Sequence, residues 1–550
     1  MGPFRNLLNN IIFNYILLFI TLLYSFVFIF FGIDFTDTFY YINLCEDFTS
    51  SPMWILTLLI GKGWTSLFGD SLISFRVLNW IMLILSILLP FIILIPSNSQ
   101  REYLKYVSIT IILMTILNDN VFGGDVCTVL FLALSASLII KFYQSSKLYH
   151  LILYSLSSTF LILARFPNIL IVGAFIVVFS IIEYYKNYPI LQKRKVIINS
   201  LKKLSIYFAV SISCYGLIIM LVYGSFSEFA SKLGFSIMNI EESHTIITML
   251  KMYVKDFVKL FQYVSVCFLI FLIVNVRLNF NLIIKMILTI LAYVCLILFL
   301  KVEIGIENYN WNISLFYSAI VISVLVYYSF LYIQKKEYIK LVFISFILIY
   351  AIIPVLGSTT GLLKLSPFLL SFLPVILASN KSGVIKDSNL SYLFGVVLLF
   401  VIYTKMMIVY EDSKITNLRY ELKTERINHI KTTNVNVEFI EDVLKEFEEI
   451  NNDNKSVLFF GKVSHIFYYL TRTKPLYQNS FWMSPYNISE INIAEHIIFS
   501  KRPFVIFLPS YPENSIQYFN NRNTYTPFET MLIKNGYEAI TKNSFIIYKP

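Results

Sequence analysis

The chain has 550 residues, is 57% hydrophobic and 14% charged, and carries a formal net charge of +11. A mean hydropathy of +0.70 excludes an ordinary soluble domain, in which roughly a quarter of the residues are charged. Lys and Arg fall mostly in short stretches between apolar runs, the pattern of the positive-inside rule rather than of nucleic-acid binding.

In chain order, the uncharged run IIFNYILLFITLLYSFVFIFFG (11–32) reads as a first membrane span. It is too long for a signal peptide, and no small-residue cleavage site follows it. Further spans are expected near 74–95, 105–118, 126–142, 149–163, 169–185, 205–224, 258–276, 281–300, 313–333, 341–356, 366–379 and 390–410, about thirteen in all. The basic stretches at 101–105, 141–147, 184–204, 334–340 and 380–386 then share one side. That parity puts the N-terminus in the cytoplasm and everything after residue 411 outside. Two outer segments, 33–73 and 225–257, are long enough to be structured. Within the first, SPMWILTLLIGKGWTSLFGD (51–70) is apolar, with Trp54 and Trp64, but is interrupted by Gly61, Lys62 and Gly63. An interfacial helix accounts for this better than a span.

After residue 411 the composition changes. A charged stretch ending EFEEINNDN has helical period throughout. Strands follow at SVLFFG (456–461) and PFVIFLPS (503–510), helices at VSHIFYYLT and TPFETMLIKNG, and a closing hairpin at YEAITKNSFIIYKP. The expected fold is a polytopic α-helical membrane protein (1–410) with a C-terminal soluble α/β domain (411–550). Cys45, Cys127, Cys214, Cys267 and Cys295 are scattered, with no spacing that indicates zinc or a disulfide framework.

The stretch GIDFTDTFYYINLCEDF (32–48) sets Asp34, Asp37, Glu46 and Asp47 just beyond the first span. On a helix Asp34 and Asp37 share a face, with Tyr40 or Tyr41 a turn further on. Such acids suit either a helix N-terminus or general-base chemistry. A second outer stretch, NDNVFGGDVCTVLFLALS (118–135), brings Asp119, Asn120 and then Asp125 at the start of a span. Asp125 is either interface polarity or a second carboxylate facing the same cavity, as metal ligand or orienting group. Arg76 in SFRVLNW and Arg165 in LARFPN either snorkel to the headgroups or bind a lipid phosphate. The loop LGSTTGLLKLSP (356–367) offers Ser358, Thr359, Thr360 and Lys364 to a phosphate or sugar. His244 reads as a solvated loop residue. FFGKVSH has neither a GxGxxG nor a P-loop pattern, so no nucleotide site is assigned.

TDTFYYI, SFRVLNWIMLIL, GGDVCTVLFLALS, LARFPN, the GSTTGL loop and the ending NGYEAI…FIIYKP together resemble the GT-C glycosyltransferases. The likeness is to bacterial members akin to protein O-mannosyltransferases and the aminoarabinose transferases of lipid A. It implies an inverting enzyme of the cell (inner) membrane. Such an enzyme moves a sugar from a polyprenyl-phosphate donor to a glycan, lipid or protein acceptor at the outer face. It further implies a catalytic carboxylate at Asp37 or Asp34 and substrate contacts at Tyr40, Tyr41, Arg76, Arg165 and Lys364. A divalent cation, Mg or Mn, would have Asp125 as ligand. Two positions depart from the family. Thr38 stands where many relatives carry Glu, and GLLKLSPFLL lacks an Arg-Tyr pair, so Lys364 substitutes for it or the contact is missing. The competing readings are a lipid-linked-substrate transporter or flippase, which calls for two similar halves with interrupted helices, and an oligosaccharide polymerase or ligase.

Overall fold

The computed structural model describes residues 11–35, 37–49, 51–117, 122–187, 193–238, 246–275, 309–355, 361–378, 405–406, 412–452, 456–474, 488–508 and 526–550. The first helix, α1 (Ile11–Val27), buries Asn14, Thr21 and Ser25 and exposes Ile12, Phe19 and Leu23. That inversion is expected of a helix bathed in lipid, where polar groups must find partners inside the bundle. Asn14 Nδ2 donates to the Arg101 carbonyl at 3.1 Å, and Trp80 Nε1 donates to Ser25 Oγ at 2.9 Å.

A short helix, α2 (Asp37–Glu46), and α3 (Ile55–Phe68), within the segment expected to lie at the interface, separate α1 from the bundle. Then come α4 (Leu72–Leu94), α5 (Ser97–Leu117), α6 (Gly124–Ser145), α7 (Leu148–Ala164), α8 (Leu170–Asn187), α9 (Lys193–Tyr223), α10 (Phe226–Met238), α11 (Ile246–Asn275), α12 (Tyr309–Gln334), α13 (Tyr338–Ile352), α14 (Leu365–Ser371) and α15 (Leu373–Ala378). Among the described residues six helical stretches are long and apolar enough to cross a membrane: 11–30, 72–94, 124–145, 166–183, 194–223 and 314–334. The chain is a helical membrane protein by this measure. The expected span at 281–300 lies outside the described residues, as does 390–410 apart from Lys405 and Met406. α11 starts at Ile246, well before the span expected at 258, so much of the second outer segment is helical. Inside the bundle, buried Glu183 of α8 accepts from Lys203 Nζ of α9 at 2.7 and 2.8 Å.

The C-terminal region departs from expectation in its first part. Helical period was expected from 411 onward, but the helix, α16, spans Asn434–Asn452. Residues 412–432 run instead as turns and a two-residue ladder, β1 (Tyr420–Glu421) with β2 (Lys431–Thr432). Long-range contacts override the local period there. The Lys431 carbonyl accepts from Gly32 N at 2.8 Å, and Asp412 Oδ2 accepts from Ile33 N at 3.0 Å.

Beyond α16 the expected strands and helices are present, β3 (Val457–Phe460), α17 (Ser464–Thr471), β4 (Phe504–Phe507), α19 (Pro527–Lys534), β5 (Glu538–Thr541) and β6 (Ile546–Lys549), together with a helix not expected from the sequence, α18 (Ile488–Lys501). The sheet order is β3-β4-β6-β5, with β3 and β4 parallel and the other pairs antiparallel. Period-two alternation splits its side chains between two cores. Phe459, Ile506 and Ile547 join the large core that includes α2 and the bundle. Leu458, Phe460, Val505, Phe507, Ile546 and Tyr548 form a second core with Ile491, Ile498, Phe528 and Leu532. α19 opens with a capping box between Thr526 and Glu529. One face of the C-terminal sheet is therefore continuous with the packing of the outer loop.

Candidate functional site

The outer loop turns out of α1 at Gly32 (φ +77°), a backbone conformation that glycine adopts without strain. The carbonyls around this turn face Arg76 at the start of α4. Its Nη1 donates to the Ile29 and Phe31 carbonyls at 2.8 and 3.3 Å, and its Nη2 donates to the Gly32 carbonyl at 2.7 Å. Arg76 has 0% exposure. Its guanidinium is enclosed, and these contacts are to main-chain oxygens.

Asp34 follows, 4% exposed, and its Oδ2 accepts from the Thr38 amide at 2.9 Å. It holds the N-terminus of α2, where free N–H groups and the helix dipole favour a carboxylate. Asp37, the first residue of α2, is exposed. The two acids that looked alike in sequence thus divide the work: one braces the helix, the other is exposed at its first residue.

Tyr41 lies one turn beyond Asp37. Its ring packs near-perpendicular to Trp54 at 5.7 Å and to Tyr40 at 5.5 Å. Burial first, then the negative charges of Asp125 and Asp37, push its hydroxyl well above the usual phenol value, with Arg165 pulling the other way. Asp37, Asp125 and Arg165 thus all act electrostatically on one phenol, which stays protonated at neutral pH.

Two glycines bring Asp125 there. A Cβ on Gly123 would lie 2.8 Å from the Tyr41 ring, and one on Gly124 would lie 2.7 Å from Trp54. α6 can start against α2 and the turn that leads into α3 because neither residue has a side chain. Arg165 is presented by the turn after α7. Thr57 Oγ1 donates to the Ala164 carbonyl at 2.9 Å, and Asn168 Nδ2 donates to Thr128 Oγ1 at 2.9 Å and to the Leu161 carbonyl at 3.0 Å. Arg165 Nη1 stands 3.9 Å from Asp125 Oδ1, with side-chain exposures of 8% and 49%.

Tyr40 faces the C-terminal region and meets His465 of α17 at 5.7 Å. Asn43 Nδ2 donates to the His465 carbonyl at 3.0 Å, and Phe39 packs on Tyr469 at 5.2 Å. Lys364 ends a 3-10 turn, Gly361–Lys364, whose Leu362 amide donates to Asp256 of α11 at 3.2 Å. The Lys364 side chain, Ser358, Thr359, Thr360, Asp119, Asn120 and His244 lie outside the described residues. Sequence reasoning missed His465, Arg426 and the packing role of Gly123 and Gly124. The Gly-Gly step before Asp125 was the available signal.

Among the described residues no group of three or more His, Cys, Asp or Glu is placed to hold a metal. The described residues nearest to such a role are the carboxylates Asp37 and Asp125, oxygen donors of the kind a hard divalent cation takes.

No family model matches the chain and no curated protein matches it. Among solved structures the chain is similar to the oligosaccharyltransferase of Archaeoglobus fulgidus, crystallised tethered by a disulfide bond to an acceptor peptide containing the NVT sequon. The identity is 11%, over 97% of this chain and 74% of that one, with a TM-score of 0.46. So loose a superposition bears on neither the site nor its chemistry.

Proposed function

We propose that the protein is an inverting membrane glycosyltransferase of GT-C type. It would take a sugar from a polyprenyl-phosphate donor at the outer face of the cell membrane and pass it to a glycan, lipid or protein acceptor. The observation that carries this reading is the meeting of buried Arg165 with half-exposed Asp125 where Gly123 lies against the Tyr41 ring, with exposed Asp37 one turn before Tyr41 on the same helix. A carboxylate and an arginine beside a membrane-embedded bundle suit a donor with a hydrocarbon tail and an anionic phosphate.

Asp37 acts as general base on the acceptor hydroxyl. The acceptor oxygen bonds to the anomeric carbon while the bond from that carbon to the phosphate oxygen breaks, and the proton goes to Asp37. Arg165 draws the phosphate, for which its fork is well shaped. Tyr41, held protonated, donates a hydrogen bond at the same place. When bound, Mg or Mn held by Asp125 would add positive charge to balance that of the leaving phosphate. The N-terminus would be cytoplasmic and residues 411–550 an outer domain.

The test is sugar transfer in membranes from radiolabelled polyprenyl-phosphate sugars. Asp37→Asn should lower it at least about a hundredfold at equal expression. Asp34→Asn keeps an oxygen to accept from the Thr38 amide and loses only the charge–dipole interaction, so it should lower stability by about 0.3–1 kcal/mol and leave most transfer. Full activity in Asp37→Asn would sink the assignment.

A further inference from the structure

A ten-residue helix such as α2 is shorter than the roughly 12–15 residues at which an isolated helix becomes marginal in water. Its orientation must be set by what packs on it. At the N-terminal side, the Gly32 amide is bonded to the Lys431 carbonyl and the Ile33 amide to Asp412, while Arg76 takes the opposite side of the turn. Asp412 is itself held by Thr432 and by Asn436 Nδ2, the latter at 3.0 Å.

At the C-terminal side the anchor is one guanidinium. Arg426 Nη2 donates to Glu46 Oε1 at 3.3 Å and to Asp70 Oδ2, and its Nη1 donates to the Tyr469 carbonyl. Glu46 is the last residue of α2, Asp70 lies just before α4, and Tyr469 is in α17. The Arg426 side chain is 7% exposed and lies over the Tyr469 ring at 4.7 Å. The Tyr469 hydroxyl donates to the Asp70 carbonyl at 2.7 Å and to that of Arg426 at 3.1 Å. One planar fork thus joins both ends of the segment 46–70 to α17. A lysine, with a single point charge, cannot serve these divergent acceptors together.

We infer that Arg426 is a positioning residue for the outer-loop site: through Glu46 and Asp70 it sets how α2 presents Asp37 and Tyr41 to Asp125 and Arg165. This rests on the proposed transfer reaction. It gives residues 412–471 a task, holding α2 at both ends, although Arg426 and Glu46 stand 380 residues apart in sequence.

The experiment uses the full-length protein in detergent, comparing wild type with Arg426→Met, Arg426→Lys and the milder Glu46→Gln. Hydrogen exchange is followed over 37–46 beside steady-state transfer. Arg426→Met should speed exchange in 37–46 by at least about tenfold and lower kcat by about 10- to 100-fold, as misplacement by an ångström does. The donor KM should stay within about twofold. Arg426→Lys should lie nearer to Arg426→Met than to wild type. Glu46→Gln should move both readouts the same way by less, and it carries the test if Arg426→Met does not fold. Unchanged exchange overturns the coupling, and faster exchange with unchanged kcat overturns the positioning role. Should wild type transfer no sugar from any polyprenyl-phosphate donor, the functional reading fails. The exchange data then decide the coupling alone: faster exchange in the variants upholds it, and equal exchange overturns it.

Discussion

Gly123→Ala perturbs the site by a single methyl group. The backbone at Gly123 is extended (φ −172°), so alanine meets no conformational penalty there and the effect is steric. The new Cβ would stand 2.8 Å from two atoms of the Tyr41 ring and 3.1 Å from a third, against 3.4–4 Å for ordinary contact. Something must move by about 0.6 Å or more to reach normal separation. Tyr41 has little room to retreat, with Trp54 and Tyr40 packed edge-on against it. The expected costs are about 1–3 kcal/mol of stability and about 10- to 100-fold in kcat. Gly63→Ala is the control. Its Cβ would meet nothing within 4 Å, so it should leave transfer intact and stiffen α3 by about 0.5–1 kcal/mol. Transfer rates and detergent melting temperatures for the two variants, at matched folded protein, decide the matter. Gly123→Ala with wild-type kcat would refute the view that α6 seats Asp125 against a working Tyr41.

Burial lowers the His465 imidazole from 6.5 to about 3, so the unfolded chain binds the extra proton between those values. Stability tied to His465 is complete above about pH 6.5 and falls as pH drops toward 3, by up to about 1.4 kcal/mol per unit. Melting should therefore drop more steeply for wild type than for His465→Gln between pH 7 and 4.5, and parallel profiles would contradict this. Arg76→Met keeps the apolar stem but leaves three carbonyls without their donors, at a cost of roughly 3–5 kcal/mol. Arg76→Lys should also melt early. Unchanged melting with a raised donor KM would return Arg76 to a phosphate-binding role.

Hydropathy and periodicity were enough to recognise a helical membrane chain, a helix within 51–70 and the alternating strands of the C-terminal sheet. These properties add up locally, residue by residue, and tertiary packing seldom reverses them over long apolar runs. They also put Tyr40 or Tyr41 one turn beyond Asp37 on a helix, although they set Asp34 on that helix too, which begins only at Asp37. They failed over 412–432, where charged residues have helical spacing but their main-chain and side-chain groups bind Gly32, Ile33, Glu46 and Asp70 instead.

Pairs of chemically equivalent residues were decided by the tertiary structure. Asp34 and Asp37 are three residues apart in one acidic stretch, yet one is enclosed under the Thr38 amide and the other faces water. Arg76 and Arg165 each stand at a membrane edge in sequence. Arg76 is enclosed among carbonyl oxygens, while Arg165 meets a half-exposed carboxylate. A side chain's type fixes the bonds it can make. Which partner it meets, and whether water reaches it, depends on segments up to hundreds of residues away that fold against it.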